Sequence, residues 1–360
     1  MFATVGNEKV TGLLNDWYKA IRAQHLVRAQ QLKEEVDSLI QDMEEDQTLL
    51  IYYALLEFRH KLLTNNVSEM EKSLKQIESV KESSDEFLNY YYHFFRAIYL
   101  TKMGVYSDAR DYFEKAEQLL RNVPDDIEKA EFNYRIAVFF YHLWKPIDAM
   151  NYAVKAKELF SKNKGYEINV ASCKNIMGLA SLTLKQYELA EEYLVSALAI
   201  LKENNQERLA QKTRHNLGLM YADQKLPHVA IRYLTESEVD NCKTMYLLAR
   251  EYIRLDMNDK AVEYIEKGIA LCKEKHNEEY THHLAILKVK VDSLGLEILE
   301  ETICSGINYF KQENLWQYVQ EYTEELAICF CEEGMDNQVS KYFRIAYEAK
   351  QEITKRGALK

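Results

Sequence analysis

FNYRIAVFFYHLWKPIDAMNYAVKAKELF (Phe132–Phe160) places Ala149 twelve residues after Ala137 and Ala156 seven residues after that, with Phe140 three residues beyond the first alanine. The spacing recurs at Ala97, Ala109, Ala116; at Gly178, Ala190, Ala197; at Gly218, Ala230, Ser237; at Ala249, Ala261, Gly268; and, with one valine, at Ala327, Val339, Ala346. Leu100, Tyr221, Tyr252 and Phe330 repeat the large residue, and Ser181 is the exception. Short side chains let two antiparallel helices approach closely while large ones fill the space beside the contact.

This is the frame of the tetratricopeptide repeat. Its first members advance by 40, 41, 40, 31 and 78 residues, so the last step hides one repeat that has lost its small residues, near 282–312. The expectation is an all-α chain. It comprises an N-terminal three-helix bundle (1–66), a linker helix (67–86) and a right-handed tetratricopeptide-repeat superhelix of about seven hairpins (87–360). Gly104 and Gly334 fall at turns between paired helices, and Pro124 follows the second helix of the first repeat.

The first stretch leaves the repeat frame. Leu13, Leu14, Trp17 and Ile21; Leu32, Val36, Leu39 and Ile40; and Leu49, Leu50, Tyr53, Leu56 and His60 mark three amphipathic helices, read as a self-contained unit. The polar segment from Asn65 to Glu86 keeps one thin stripe, Met70, Leu74 and Ile77, which suits a helix able to shift its packing.

Composition narrows the function classes. Eleven glycines and three prolines in 360 residues leave little room for strand turns, and 47% hydrophobic content can bury a substantial core. A net charge of −11 without a clustered basic face argues against direct nucleic-acid binding. No apolar run reaches the roughly 18 residues of a membrane span, and the start lacks signal-peptide features, so a cytoplasmic protein is expected. Six cysteines without CxxC spacing read as reduced and structural, and the neighbours His282 and His283 diverge on a helix, so no metal site is expected. Phosphate loops, nucleophile elbows and HExxH are absent from the sequence. Self-association stays open.

Two regions carry candidate chemistry. On the third helix Gln47, Leu50, Ala54 and Phe58 form one stripe beside the core stripe of Leu49, Tyr53, Leu56 and His60, so the helix needs two partners. Asp46 can cap this helix, and the acidic run around Glu45 and Asp46 also suits its dipole with no further role. A glutamine amide can orient water toward a phosphoryl group, provided a partner brings the phosphate. In the repeats, positions flanking the first small residue face the groove. They select Tyr134, Arg135 and Val138; Asn175 and Leu179; His215, Asn216, Leu219 and Asp223; and Tyr246 and Arg250. This mixture of amides, charges and apolar groups suits a short peptide, and Asn216 can answer both backbone donors and acceptors. The alternative for Asn216 is pairing within the stack; for Asn175, Arg135 and Arg250 it is a solvated or structural role.

LNDWYKAI (Leu14–Ile21), DMEEDQTLLIYYALLEFRH (Asp42–His60), IEKAEF (Ile127–Phe132) and AMNYA (Ala149–Ala153) resemble the Rap family of Bacillus regulators over essentially the whole chain. The resemblance implies a bundle and linker that dock on a response regulator, and a repeat groove that binds an imported Phr-type signalling peptide. It makes Gln47 the residue that promotes aspartyl-phosphate hydrolysis, Glu45, Asp46, Leu50 and Phe58 regulator contacts, and Asn216 a peptide-backbone ligand. No cofactor is implied for this chain, since magnesium would belong to the response regulator. Other members sequester a transcription regulator or relieve a repressor without hydrolysis. Thr48, where the family commonly has Asp, and the run from Tyr92 to Leu100 depart from the pattern. A generic repeat scaffold is the remaining reading.

Overall fold

The computed structural model describes residues 7–40, 46–64, 73, 77 and 85–358, with side chains to residue 355. All the regular structure among them is helical. Contacts divide the chain into two units, Met1–Gln206 and Glu207–Lys360.

The first unit begins with α1 (Asn7–Arg22), α2 (Leu26–Leu39) and α3 (Gln47–Thr64), followed by three hairpins. These are α4 (Glu86–Lys102) with α5 (Tyr106–Leu120), α6 (Asp126–His142) with α7 (Pro146–Ser161), and α8 (Glu167–Thr183) with α9 (Tyr187–Glu203). Asp85 and Asp125 cap α4 and α6 by accepting two backbone N–H bonds each, and Pro146 occupies the first turn of α7, where its missing N–H costs nothing.

The second unit holds four hairpins: α10 (Glu207–Asp223) with α11 (Pro227–Glu236), α12 (Cys242–Ile253) with α13 (Asn258–Lys275), α14 (Glu278–Val291) with α15 (Leu296–Gln312), and α16 (Trp316–Glu332) with α17 (Asp336–Ala358). The seven hairpins are the number that the spacing implies.

The small residues lie where the frame puts them. Ala97, Ala109, Ala116, Ala137, Ala149, Ala156, Ala190, Ala197, Ala230, Ser237, Ala249, Ala261 and Ala327 are all fully buried. A Cβ at Gly218 would lie 2.6 Å from Leu234 Cγ and 3.1 Å from its backbone nitrogen, so the α10–α11 contact has no room for alanine. Val339 is only half-buried, which is why a larger residue survives there. In the irregular hairpin α14–α15, Gly306 keeps one small contact, facing His282 and Ile286, and bulky rings pack on the side toward α16. His283 is fully buried against Tyr318 (4.4 Å) and Phe310 (4.9 Å), with Nδ1 2.6 Å from Tyr322 Oη.

The bundle departs from the sequence reading. Its core is not self-contained: Val10, Leu14, Trp17, Leu55, Leu56 and Phe58 join Tyr90, Phe94, Phe95, Phe113, Phe132 and Phe139 in one apolar cluster. The second apolar face of α3 finds its partner in α4, where Phe58 meets Tyr99 at 5.8 Å. Most of the expected linker helix, including Met70 and Leu74, lies outside the described residues. Ile77 joins this same core, and Ser73 Oγ accepts from Lys61 Nζ at 2.7 Å.

Gly218→Ala is expected to destabilise the second unit by about 1–3 kcal/mol through overpacking. Gly104→Ala, at a turn with φ +78° and open space around it, should cost only about 1 kcal/mol of backbone strain. Urea unfolding of both variants measures the difference.

Candidate docking helix and inner-face residues

The start of α3 is built by its cap. Asp46 Oδ1 accepts from the backbone N–H groups of Thr48 (2.9 Å) and Leu49 (3.1 Å), fixing the chain direction as the helix begins. Gln47 is exposed at this capped end and Leu50, one turn on, is 43% exposed. The stripe then sinks. Ala54 is half-buried and Phe58 is fully buried. Phe58 is therefore corrected from a contact residue to a core residue, because α3 runs from its free end into the packing against α4. Glu45 lies outside the described residues. The other stripe serves the interior, where Trp17 Nε1 donates to His60 Nδ1 at 3.1 Å.

Below this helix lies a buried ionic network that motif reading did not single out. Glu128 and Glu131, one turn apart on α6, are both fully buried. Glu128 accepts from Tyr18 Oη (2.9 Å), Tyr90 Oη (2.8 Å) and Arg22 Nη1 (2.9 Å), and the same Arg22 nitrogen reaches Asp125 (2.7 Å). Glu131 Oε1 accepts from Arg59 Nη2 (2.8 Å) and Arg135 Nε (2.7 Å). Asn169 Nδ2 on α8 donates to the Arg22 carbonyl at 2.8 Å. Bundle helices α1 and α3 are thus pinned to repeat helices α6 and α8.

The two carboxylates respond differently to similar burial. Loss of water raises the pKa of Glu128 above the usual range despite Arg22 and the two tyrosine hydroxyls. At Glu131 the same burial is outweighed by Arg135 and Arg59, which hold its pKa below that range. A sequence signal existed in IEKAEF, whose acids sit three apart on an otherwise apolar face.

The inner-face candidates divide by burial. On α6 and α8, Tyr134, Arg135, Val138 and Asn175 are half-buried. Arg135 has its guanidinium committed to Glu131 and stacked on Tyr134 (5.1 Å). Leu179 is a correction: it packs with Ala137, Ala153, Ile176 and Met177 in the interior, because its face of α8 meets the preceding hairpin.

In the second unit His215, Asn216 and Leu219 are half-buried on α10 and Asp223 is exposed. His215 Nδ1 lies 3.3 Å from Thr244 Oγ1 on α12. Arg250 is half-buried and donates from Nε to Glu251 (3.0 Å). Tyr246 is also corrected to an interior position, 8% exposed and in ring contact with His283 (5.0 Å) and Tyr280 (5.9 Å).

Among the described residues no cluster of three His, Cys, Asp or Glu side chains could hold a metal ion, and no helix is long and apolar enough to cross a membrane.

Comparison with known proteins converges on one group. Residues 4–65 match the family model described as response regulator aspartate phosphatase H, N terminal. The regulatory protein RapG of Bacillus subtilis is 31% identical over 294 residues, 79% of this chain and 78% of its own. A crystal structure of a Rap protein complexed with competence and sporulation factor is 26% identical with a TM-score of 0.79, covering 97% of this chain and 99% of that one. The apo form of RapI is 27% identical with a TM-score of 0.67, covering 96% and 98%.

Two buried histidines, His60 and His283, and the half-buried His215 each contribute a pH dependence of the same sign. Burial, reinforced by Lys33 and Arg59 at His60 and by Lys243 at His215, lowers both pKa values to about 4, and burial lowers His283 to about 3. The unfolded chain then binds more protons between about pH 4 and 6.5, so stability is full above 6.5 and falls as the pH drops through that window. Each histidine should cost about 2 kcal/mol by pH 5. Urea unfolding at pH 7 and pH 5, with His60→Gln reducing the difference, tests this.

Proposed function

The chain belongs to the Rap family, and on that premise we propose that it is a peptide-controlled regulator whose N-terminal helices dock on a response regulator. The observation that carries this reading is the exposed pair Gln47 and Leu50 at the capped start of α3, inside the segment that matches the response regulator phosphatase model. An amide held at a rigid helix end can orient water for attack on an aspartyl phosphate without changing charge. The phosphate and any magnesium ion belong to the partner in this reading, and Asp46 acts by positioning the helix start.

The same surface serves a binder that sequesters its target without hydrolysis, a reading favoured by likeness to RapG, which is named a regulatory protein. In both cases a short Phr-type peptide is received on the first helices of the hairpins, with Asn216 as the leading backbone contact and Leu219 near it in the second unit, and with Asn175 and Val138 as the candidates of the first unit. Support comes from the solved relative complexed with competence and sporulation factor.

We assign the transmission of peptide control to the buried network. With Glu128 and Glu131 paired, α1 and α3 are held on the repeats. Removing one partner leaves an uncompensated buried charge, which costs about 3–5 kcal/mol. The bundle is therefore either pinned or released. We assign the pinned arrangement to the peptide-inhibited protein.

Gln47→Ala should slow phosphate loss from a phosphorylated response regulator on the order of a hundredfold, while Leu50→Ala weakens the complex by about 1–2 kcal/mol. Phosphate release and calorimetry on the same samples separate the mechanisms. Intact binding with unchanged phosphate loss in Gln47→Ala assigns the protein to sequestration.

Arg59→Met should loosen the bundle, and hydrogen exchange in α1 and α3 reports it. Exchange as slow as in the unsubstituted protein would remove the ionic network from the control mechanism.

A further inference from the structure

Phe343 breaks the burial pattern of the repeats. It stands four residues after Val339, the second member of its triplet. The same place in other hairpins is held by Phe113, Ala153, Leu234 and Ile265, each exposed by 2% or less. Phe113 meets Phe132 (5.9 Å) and Phe139 (5.2 Å) of the following hairpin, and Ala153 joins Ile176 and Met177 of the hairpin after its own. The position therefore belongs to the side of a hairpin that its successor covers. On α17, however, Phe343 is 51% exposed, and Tyr347, one turn on, is 63% exposed. A repeat whose outer side faces water ordinarily carries polar residues there. This one carries two aromatic rings.

The charges along the same stripe are ordered. Asp336 lies seven residues before Phe343 and Lys350 seven residues after it, so the three share one side of the helix, with Ser340 and Tyr347 between them. All five are exposed. Neighbouring charges on α17 are paired within the chain, Lys341 with Glu300 at 3.3 Å and Lys355 with Glu352 at 2.7 Å. Among the described residues neither Asp336 nor Lys350 closes an ion pair.

We propose that this face of α17 is a self-association surface, on which α17 of a second copy of the chain lies antiparallel with Phe343 at the two-fold axis. An acid and a base at equal distances on either side of an apolar centre make a helix complementary to itself in this register. Asp336 of each copy then meets Lys350 of the other, Phe343 packs on its own counterpart, and Tyr347 falls on Val339 of the second copy. A two-fold interface requires this reciprocity, in which one patch serves both partners. The rings supply the apolar burial, while the two ion pairs fix direction and register more than they add affinity. A parallel arrangement would set Asp336 against Asp336 and Lys350 against Lys350. The proposal is independent of peptide binding and of the docking residues on α3.

Sedimentation equilibrium of the full-length protein over a concentration series tests the register as well as the association. The unsubstituted chain should approach twice its monomer mass with rising concentration, and Phe343→Asp, at an exposed position that does not threaten folding, should abolish the rise. Asp336→Lys alone and Lys350→Asp alone each set like charges against one another twice in a homodimer, and each should weaken association by about tenfold. An equimolar mixture of these two variants restores two opposite pairs and should associate as the unsubstituted chain does. Recovery in the mixture cannot come from misfolding of either variant. A dimer that persists in Phe343→Asp overturns the proposal by placing self-association on another surface. A mixture no tighter than its components overturns the antiparallel register, and an unsubstituted chain that stays monomeric overturns the proposal and leaves the face to a different protein.

Discussion

Close approach of paired helices at the small residues is the constraint from which the rest of this structure follows. Where Gly218 faces Leu234 or Gly178 faces Leu194, the backbones are too near to admit even a methyl group. That contact fixes which side of each helix is inward to its hairpin, and so which side is left to meet the next hairpin or a ligand. The half-buried residues Asn175, Asn216 and Leu219 owe their positions to it. The irregular hairpin α14–α15 keeps one small contact at Gly306, and its His283 and Phe310 pack against Tyr322 of α16.

The bundle is held by a different kind of force. Apolar packing of Phe58, Tyr90 and Phe94 is non-directional, and on its own it would permit several ways of laying α1 and α3 on the repeats. Glu128 and Glu131 restrict that freedom, since a buried carboxylate favours the arrangement that keeps its cationic partners beside it. Buried ion pairs add little net stability compared with apolar substitutes, but breaking one is expensive. A joint with this property can hold firmly and still be released by a competing event of a few kcal/mol. Such behaviour suits a regulator.

α3 shows how one helix serves both roles. Its first turn, capped by Asp46, exposes Gln47 and Leu50 while Leu49 beside them enters the core, and its last three turns bury Phe58, Arg59 and His60. The docking residues are therefore presented on a helix whose far end is anchored in the core, which limits the entropy lost when a partner binds.

Sequence periodicity alone determined the all-helical class, the seven hairpins, the burial of the small residues and the cap at Asp46. Each of these depends on contacts within a helix or across one short turn, where residue spacing translates directly into geometry. Only the tertiary structure decided that Phe58, Leu179 and Tyr246 are interior, that the bundle shares its core with the repeats, and that Glu128 and Glu131 collect Arg22, Arg59 and Arg135. Apart from the local Glu131–Arg135 pair, those outcomes join residues 70 or more positions apart, or depend on which of two apolar faces another helix covers. A helical repeat distance carries no information about that choice.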